Sequence, residues 1–140
     1  MSKLIYLAGG ITGLTKEEMS DWRTTIKGMI EDLTSGRWKC VDPTQHIPTI
    51  VNRQVEKECM EWDIWKVKHS DIVVCDFDHP NSIGTTWELA VARECGIPIV
   101  GVRINRYVEL HPWWEMSAIK ICDGLEELYD YLCVNFLNDD

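Results

Sequence analysis

The stretch 71–102, DIVVCDFDHPNSIGTTWELAVARECGIPIVGV, constrains the fold more than any other part of the chain. Residues 72–74 and 97–102 are short, β-branched and nearly uncharged runs, the pattern of strands covered on both faces, and the segment between them holds one helix of about three turns. Strand, helix and strand in that order make a parallel crossover unit, which places the second strand in the same sheet as the first. Ligands of such sheets bind beyond the carboxyl ends of the strands, so residues 76–88 are where chemistry is expected.

Within that loop Pro80 and Asn81 are turn formers, Gly84 allows a close approach of backbone, and Glu88 falls in the expected first turn of the helix. Two readings are open. Thr85 as N-cap and Glu88 three residues later fit a capping box, which satisfies two orphan N–H groups reciprocally. Alternatively the helix N-terminus cradles a sugar or phosphate and Glu88 acts on it. Spacing alone favours the capping box, because such boxes are common.

At 140 residues the chain is expected to form a single domain, 1–140, long enough to bury about two thirds of its unfolded surface. Its net charge of −9 argues against a nucleic-acid polymer as partner, which would demand a basic face. A small anion held locally by a helix N-terminus is compatible with it. The six cysteines are scattered singly, without a CxxC pair or a histidine at metal-ligand spacing, and read as small core residues in a reducing compartment. The first residues run straight into a strand, and no run approaches about 18 consecutive apolar residues. Neither signal peptide nor membrane span is expected, and a cytoplasmic location is.

Taken in order, residues 4–8 (LIYLA) form a buried strand, followed by the flexible turn Gly9, Gly10, Ile11, Thr12, Gly13, which is neither GxGxxG nor a lysine-bearing P-loop. Thr15 and Glu18 make a capping box. Met19, Trp22, Ile26, Met29, Ile30 and Leu33 then recur at helical spacing to about Thr34, as one core-facing stripe. Residues 38–41 are a second strand, ending in Asp42, Pro43, Thr44, Gln45 and His46. His46, with no evident partner, reads as a surface loop histidine. In the next helix, 53–69, Val55, Cys59, Asp63 and Val67 are spaced by four, and Met60 and Ile64 widen the stripe. Asp63 is therefore either a partly desolvated, functional carboxylate or a solvated residue at the stripe's edge. Trp62 and Trp65 flank it, lining a pocket or simply packing. After the polar segment 103–110 comes HPWWEMS, a turn or short helix. Two adjacent tryptophans cannot easily face one core, so Trp113 or Trp114 is expected at a ligand site or a subunit contact. A last strand is expected at 118–122, then a closing helix capped by Asp123 with Glu126 and carrying Leu125, Leu128, Leu132 and Phe136 on one face. The sum is a three-layer, flavodoxin-like α/β domain with a five-stranded parallel sheet.

These residues together resemble the nucleoside 2-deoxyribosyltransferase family and its relatives that hydrolyse deoxynucleoside 5′-monophosphates. The resemblance rests on the first strand with Tyr6 and the Gly9-Gly10 that follows, on Asp63 upstream of the Asp71 that opens DIVV, and on NSIGTTWELAVARECGIPIV, similar to the family's Gly-Thr-x-x-Glu-Leu stretch. It covers most of the chain and turns the preference for Glu88 from cap to catalyst. It implies that Glu88 is a nucleophile forming a covalent glycosyl enzyme, that Asp63 supplies or relays the proton the departing base needs, and that Tyr6 positions Glu88. It implies that Gly9, Gly10, Thr12, Gly84 and Thr85 line the substrate, and that Gln45 and His46 meet the base.

The family's free-nucleoside transferases tend to carry an aspartate where this chain has Ser82; a serine there is similar to the monophosphate hydrolases, whose sites must not repel a phosphate. The basic residue that those hydrolases place in the first loop is replaced by Thr12. The transferases also use an asparagine from a neighbouring subunit, where HPWWEMS offers Trp114, Met116 and Ser117. The expected activity is cleavage of the N-glycosidic bond of a 2′-deoxynucleoside or its 5′-monophosphate, with transfer of the deoxyribosyl group to a purine or pyrimidine base. Neither a metal nor an organic cofactor is expected, and the resemblance implies a homo-oligomer. Two alternatives stand beside it: a 5′-monophosphate N-glycosidase that uses water as acceptor, and a non-catalytic nucleotide-binding module.

Overall fold

The structure, a computed structural model, describes residues 2–138, without the side chain of His46. Five parallel strands, β1 (Lys3–Ala8), β2 (Trp38–Val41), β3 (Ile72–Asp76), β4 (Ile99–Arg103) and β5 (Lys120–Asp123), form one sheet in the order β2-β1-β3-β4-β5. Helices α1 (Lys16–Leu33), α2 (Arg53–Lys68), α3 (Ile83–Glu94), α4 (Pro112–Ser117) and α5 (Leu125–Leu132) connect and close it. This is the flavodoxin-like strand order. A 3-10 turn at Pro43–His46 leaves β2, and the last helix ends in a wide π-helical turn at Cys133–Leu137. No helix among the described residues is long and apolar enough to cross a membrane.

Alternation along the strands builds two cores. Ile5, Leu7, Ile72, Val74, Val100 and Val102 face Trp22, Ile26 and Ile30 of α1 and Leu128 and Leu132 of α5. Tyr6, Ala8, Val73, Cys75 and Ile99 face the other way, towards Val67 of α2, Leu89 and Ala92 of α3, and Trp114 of α4. The three central strands are apolar at nearly every position because both faces are covered.

Several expectations are corrected. α3 starts earlier than the spacing suggested: its N-cap is Ser82, whose Oγ accepts from the Thr85 N–H at 3.2 Å, so Thr85 is not the cap and Glu88 lies in the second turn. The capping box predicted there is absent, whereas the one at Thr15 and Glu18 is formed in both directions. The last strand begins at Lys120, not 118. α5 is preceded by Gly124 rather than capped by Asp123 and Glu126; Glu127 instead accepts from the Asp123 N–H at 2.7 Å. In α1, Met29 and Leu33 are exposed, and the core-facing position that periodicity assigned to apolar residues also holds the fully buried Arg23. Of the cysteines, Cys40, Cys75 and Cys122 are buried, Cys59 and Cys133 half-buried and Cys95 exposed.

β4 carries a glycine where its neighbours carry branched residues, and the reason is steric. Phe77 continues from β3 by donating its N–H to Val102 O at 2.8 Å, and its buried ring folds across Gly101 towards Trp114, with ring centroids 5.4 Å apart. A Cβ on Gly101 would sit 2.6–2.9 Å from three atoms of that ring. Gly101→Ala should therefore lower stability by about 1–3 kcal/mol through overpacking, read as a reduced urea midpoint with an unchanged slope. Phe77→Leu in the same chain should return part of the loss, and strict additivity of the two changes would refute the clash.

Candidate active site

Tyr6 projects from β1 onto the α2 and α3 side of the sheet, and its hydroxyl donates to Glu88 Oε2 at 2.6 Å, in the range of a charge-assisted bond. Glu88 is held by the second turn of α3 at the carboxyl end of the sheet, and Asp63 reaches the same place from α2. Burial pushes the Glu88 carboxyl up to about 7, with the nearby Asp63 charge adding to the rise while the Tyr6 bond and Arg23 oppose it. Burial likewise lifts Asp63 to about 6, against the pull of Arg23. Burial first, then the two carboxylates, raises the Tyr6 phenol far above its ordinary value, so it remains a donor at any accessible pH.

Arg23 is the residue that periodicity missed. Fully buried in α1, it donates Nε–H to Leu7 O at 3.0 Å and Nη2–H to Gly9 O at 3.1 Å, and bonds Met19 O through Nη1. The cation thus stands behind the two carboxylates without touching them. A charged residue three positions before Ile26 and four after Met19 lies on the apolar stripe, and that was the signal available in the sequence. Gly9 is required beside it, since a Cβ there would lie 2.9 Å from Asp76 Cβ and 3.2 Å from the Arg23 guanidinium.

Glu88 and Asp63 stand where two cavities meet. One, of about 670 Å³, is bounded by Gly9, Gly10 and Thr12 of the first loop, by Asn81, Ser82 and Thr85, and by Arg106. The other, of about 510 Å³, is apolar and walled by Ile47, Pro48, Val51, Met60, Ile64 and Trp87. Thr12, Asp63, Ile83, Gly84 and Glu88 border both. A site with a polar lobe, an apolar lobe and two high-pKa carboxylates at the seam suits acid–base and nucleophilic chemistry on a ligand with one flat apolar end and one polar end.

The structure therefore brings together Tyr6, Gly9, Gly10, Thr12, Asp63, Ser82, Gly84, Thr85 and Glu88. It does not bring Gln45, which is exposed on the 3-10 turn and outside the residues lining either lobe; the side chain of His46 lies outside the described residues. Trp114, Met116 and Ser117 border a separate depression between α3 and α4. Trp114 is buried against Phe77 and donates its indole N–H to Thr86 Oγ1 at 3.0 Å, while Trp113 is the exposed member of the pair. Trp65 stacks on His69 at 3.9 Å and lies outside both lobes; the tryptophan at the cleft is Trp87, which no spacing argument singled out.

The fold is shared with a 2-deoxyribosyltransferase from the psychrotolerant bacterium Bacillus psychrosaccharolyticus, with a TM-score of 0.73 and 15% identity over 91% of each chain. It is shared as well with a conserved protein from Enterococcus faecalis V583 (TM-score 0.71, 14% identity, 93% of this chain and 96% of that one). A Clostridium botulinum CMP N-glycosidase is similar at a TM-score of 0.59 and 15% identity over 94% of this chain and 98% of its own. No curated protein matches in sequence. At such identities these likenesses concern the fold alone. The sequence of residues 2–105, which includes Tyr6, Asp63, Ser82 and Glu88, matches the family described as nucleoside 2-deoxyribosyltransferase like, and the chain belongs to that family.

Proposed function

We propose that this protein cleaves the N-glycosidic bond of a 2′-deoxynucleoside or its 5′-monophosphate through a covalent deoxyribosyl–Glu88 intermediate and passes the deoxyribosyl group to an acceptor base. The observation that carries the reading is the 2.6 Å bond from Tyr6 to Glu88 at the seam of a polar and an apolar lobe, with Asp63 bordering the same seam. The Tyr6 bond occupies Oε2 and leaves Oε1 to attack. Oε1 bonds to the anomeric carbon as the C–N bond breaks, the base keeps the electron pair, and Asp63 gives it a proton. In the second half Asp63, now ionised, takes a proton from the acceptor, which attacks the anomeric carbon and releases Glu88. Ser82 favours a second reading with the same first half, in which the donor is a monophosphate and water is the acceptor.

Base release followed by chromatography, from the four deoxynucleosides and their four 5′-monophosphates with and without a second base, tests both. A new nucleoside formed only with an acceptor base marks the transferase, and free base from monophosphates alone marks the hydrolase. Glu88→Ala should lower either activity by about a thousandfold or more. Lack of Glu88-dependent release from all of them would leave a non-catalytic nucleotide-binding module.

The chemistry needs Glu88 ionised and Asp63 protonated, and the two groups interact, so they titrate as a pair. With Glu88 at about 7 and Asp63 at about 6, kcat/KM should be bell-shaped with its maximum between those values. Because Glu88 titrates above Asp63, the active form is the minor one-proton state; Tyr6→Phe removes a bond that stabilises the Glu88 anion, so the maximum should fall and the alkaline limb should move to higher pH. An unmoved limb would separate Tyr6 from Glu88.

Folding raises Glu88 from the ordinary 4.5 to about 7, so the folded chain holds a proton that the unfolded chain releases. That contribution to stability is complete below about pH 4.5 and is lost as the pH rises through 7. Glu88→Gln, which cannot ionise, should be more stable than wild type at pH 8 by on the order of 2 kcal/mol, and the gain should vanish at pH 5. Equal stability at both pH values would show that the carboxylate is not desolvated.

A further inference from the structure

We propose that Glu56 selects the base, favouring rings with an exocyclic amino group on the edge away from the sugar, as in adenine and cytosine; this rests on the reading of Glu88 given above. Rings with a carbonyl at that place, hypoxanthine, uracil and thymine, are disfavoured. Glu56, Cys59, Met60, Asp63 and Ile64 recur three or four residues apart in α2, and all of them border the apolar lobe. Asp63 stands at the seam, beside Glu88. Glu56 stands two turns earlier, about 10.5 Å along the helix axis, which is the width of a base with a hydrogen bond at either edge. A base that takes its proton from Asp63 therefore turns its far edge to Glu56.

What Glu56 offers that edge follows from its surroundings. Its neighbours on α2 are answered within the helix: Glu58 accepts from Gln54 Nε2 at 3.2 Å, and Glu61 lies 3.9 Å from Lys57 Nζ. One turn before Glu56 is Asn52, whose Oδ1 is committed to the Val55 N–H at 2.9 Å, and one turn after it is the apolar Met60. The Glu56 carboxylate makes no hydrogen bond or ion pair among the described residues, and it is left to a ligand. Among the described residues lining the lobe there is no lysine, arginine, histidine, asparagine or glutamine. The side-chain donors left are Thr12 at the seam, the weak Cys59 thiol and the Trp87 indole. Met60, Ile64 and Trp87 meet the faces of a ring and accept any base alike. Discrimination therefore falls on the far edge, where a carboxylate accepts and does not donate. An amino group there donates to Glu56, whereas a carbonyl sets two acceptors face to face. Glu56 is exposed, so water competes for it and the discrimination is tens rather than thousands. A carboxylate in the first turn also suits the dipole of α2, but that effect is the same for every base.

Deoxyadenosine against deoxyinosine, and deoxycytidine against deoxyuridine, are pairs that exchange the amino group for a carbonyl and keep the sugar. The test compares kcat/KM within each pair, given as nucleosides and as 5′-monophosphates, for wild type, Glu56→Gln and Glu56→Lys, with folding checked by circular dichroism. Wild type should prefer the amino member by about ten- to a hundredfold. The ratio should fall towards one in Glu56→Gln, whose amide both accepts and donates, and should invert in Glu56→Lys, which only donates. Equal rates within each pair for wild type, or a ratio that neither variant moves, overturns the proposal; an equal loss on both members belongs to that second outcome. If wild type releases base from nothing, the proposed function fails while base selection is decided by calorimetry with the free bases. Adenine bound about tenfold or more tighter than hypoxanthine, with the difference lost in Glu56→Gln, supports it, and equal affinity or no binding overturns it.

Discussion

The site depends on a balance struck on two carboxylates kept where water is scarce. Left alone, Glu88 and Asp63 would take up protons, since burial disfavours the charged form of both and the Asp63 anion raises Glu88 further. The Tyr6 hydrogen bond and the field of Arg23 pull the opposite way. Arg23 acts without contact because its donors are committed to the carbonyls of Leu7, Gly9 and Met19. A salt bridge would have fixed the carboxylates as inert anions; a cation held one layer back leaves them near neutrality, where a proton moves either way at small cost. The bonds to Leu7 and Gly9 pin α1 to the end of β1, so one side chain sets both the electrostatics and the shape of the first loop.

Topology supplies the place. β1 and β3 are neighbours at the centre of the sheet, yet α1 leaves β1 towards one face and α3 leaves β3 towards the other. Two loops diverging from adjacent strands open a crevice at the switch point. Its floor is tight, as the missing Cβ of Gly9 against Asp76 shows, and its mouth widens towards α2. Asp78 then ties the third loop, after β4, to the second. The cleft is thus framed by backbone that hydrogen bonds hold.

What could be read in advance follows from which forces are local. Strand runs, the Thr15 capping box and the α3 crossover are short-range patterns, and the five-stranded parallel sheet followed from them. The Asp63 reading left open by the stripe is answered in structural terms: the residue is half-buried, facing a cleft. The start of α3 was misplaced because Ser82 and Thr85 are both good caps three residues apart, and Pro80-Asn81 upstream leaves room for either. Arg23 and Arg106 were invisible for a different reason. Each is placed by contacts with segments distant in sequence, Arg23 with the first loop and Arg106, through its backbone N–H, with Asp78. Adjacent tryptophans suggested that one of the two serves a ligand site or a subunit contact; Trp114 finds a core in Phe77, and Trp113 faces outward.

The half-burial of α2 has its own explanation. Its apolar stripe sinks only Val67 completely, because the rest faces the second lobe, where Met60 and Ile64 of α2 meet Ile47, Pro48 and Trp87. Apolar side chains left uncovered around a cavity are unfavourable in water and favourable against a flat ring. On the proposed reading the base lies there, which makes the position of Asp63 a necessity. A base leaving as an anion into an apolar lobe would be strongly disfavoured. The proton must therefore reach it at the seam, before it is enclosed, and burial, by lifting Asp63 to about 6, lets it hold a proton there in slightly acid solution.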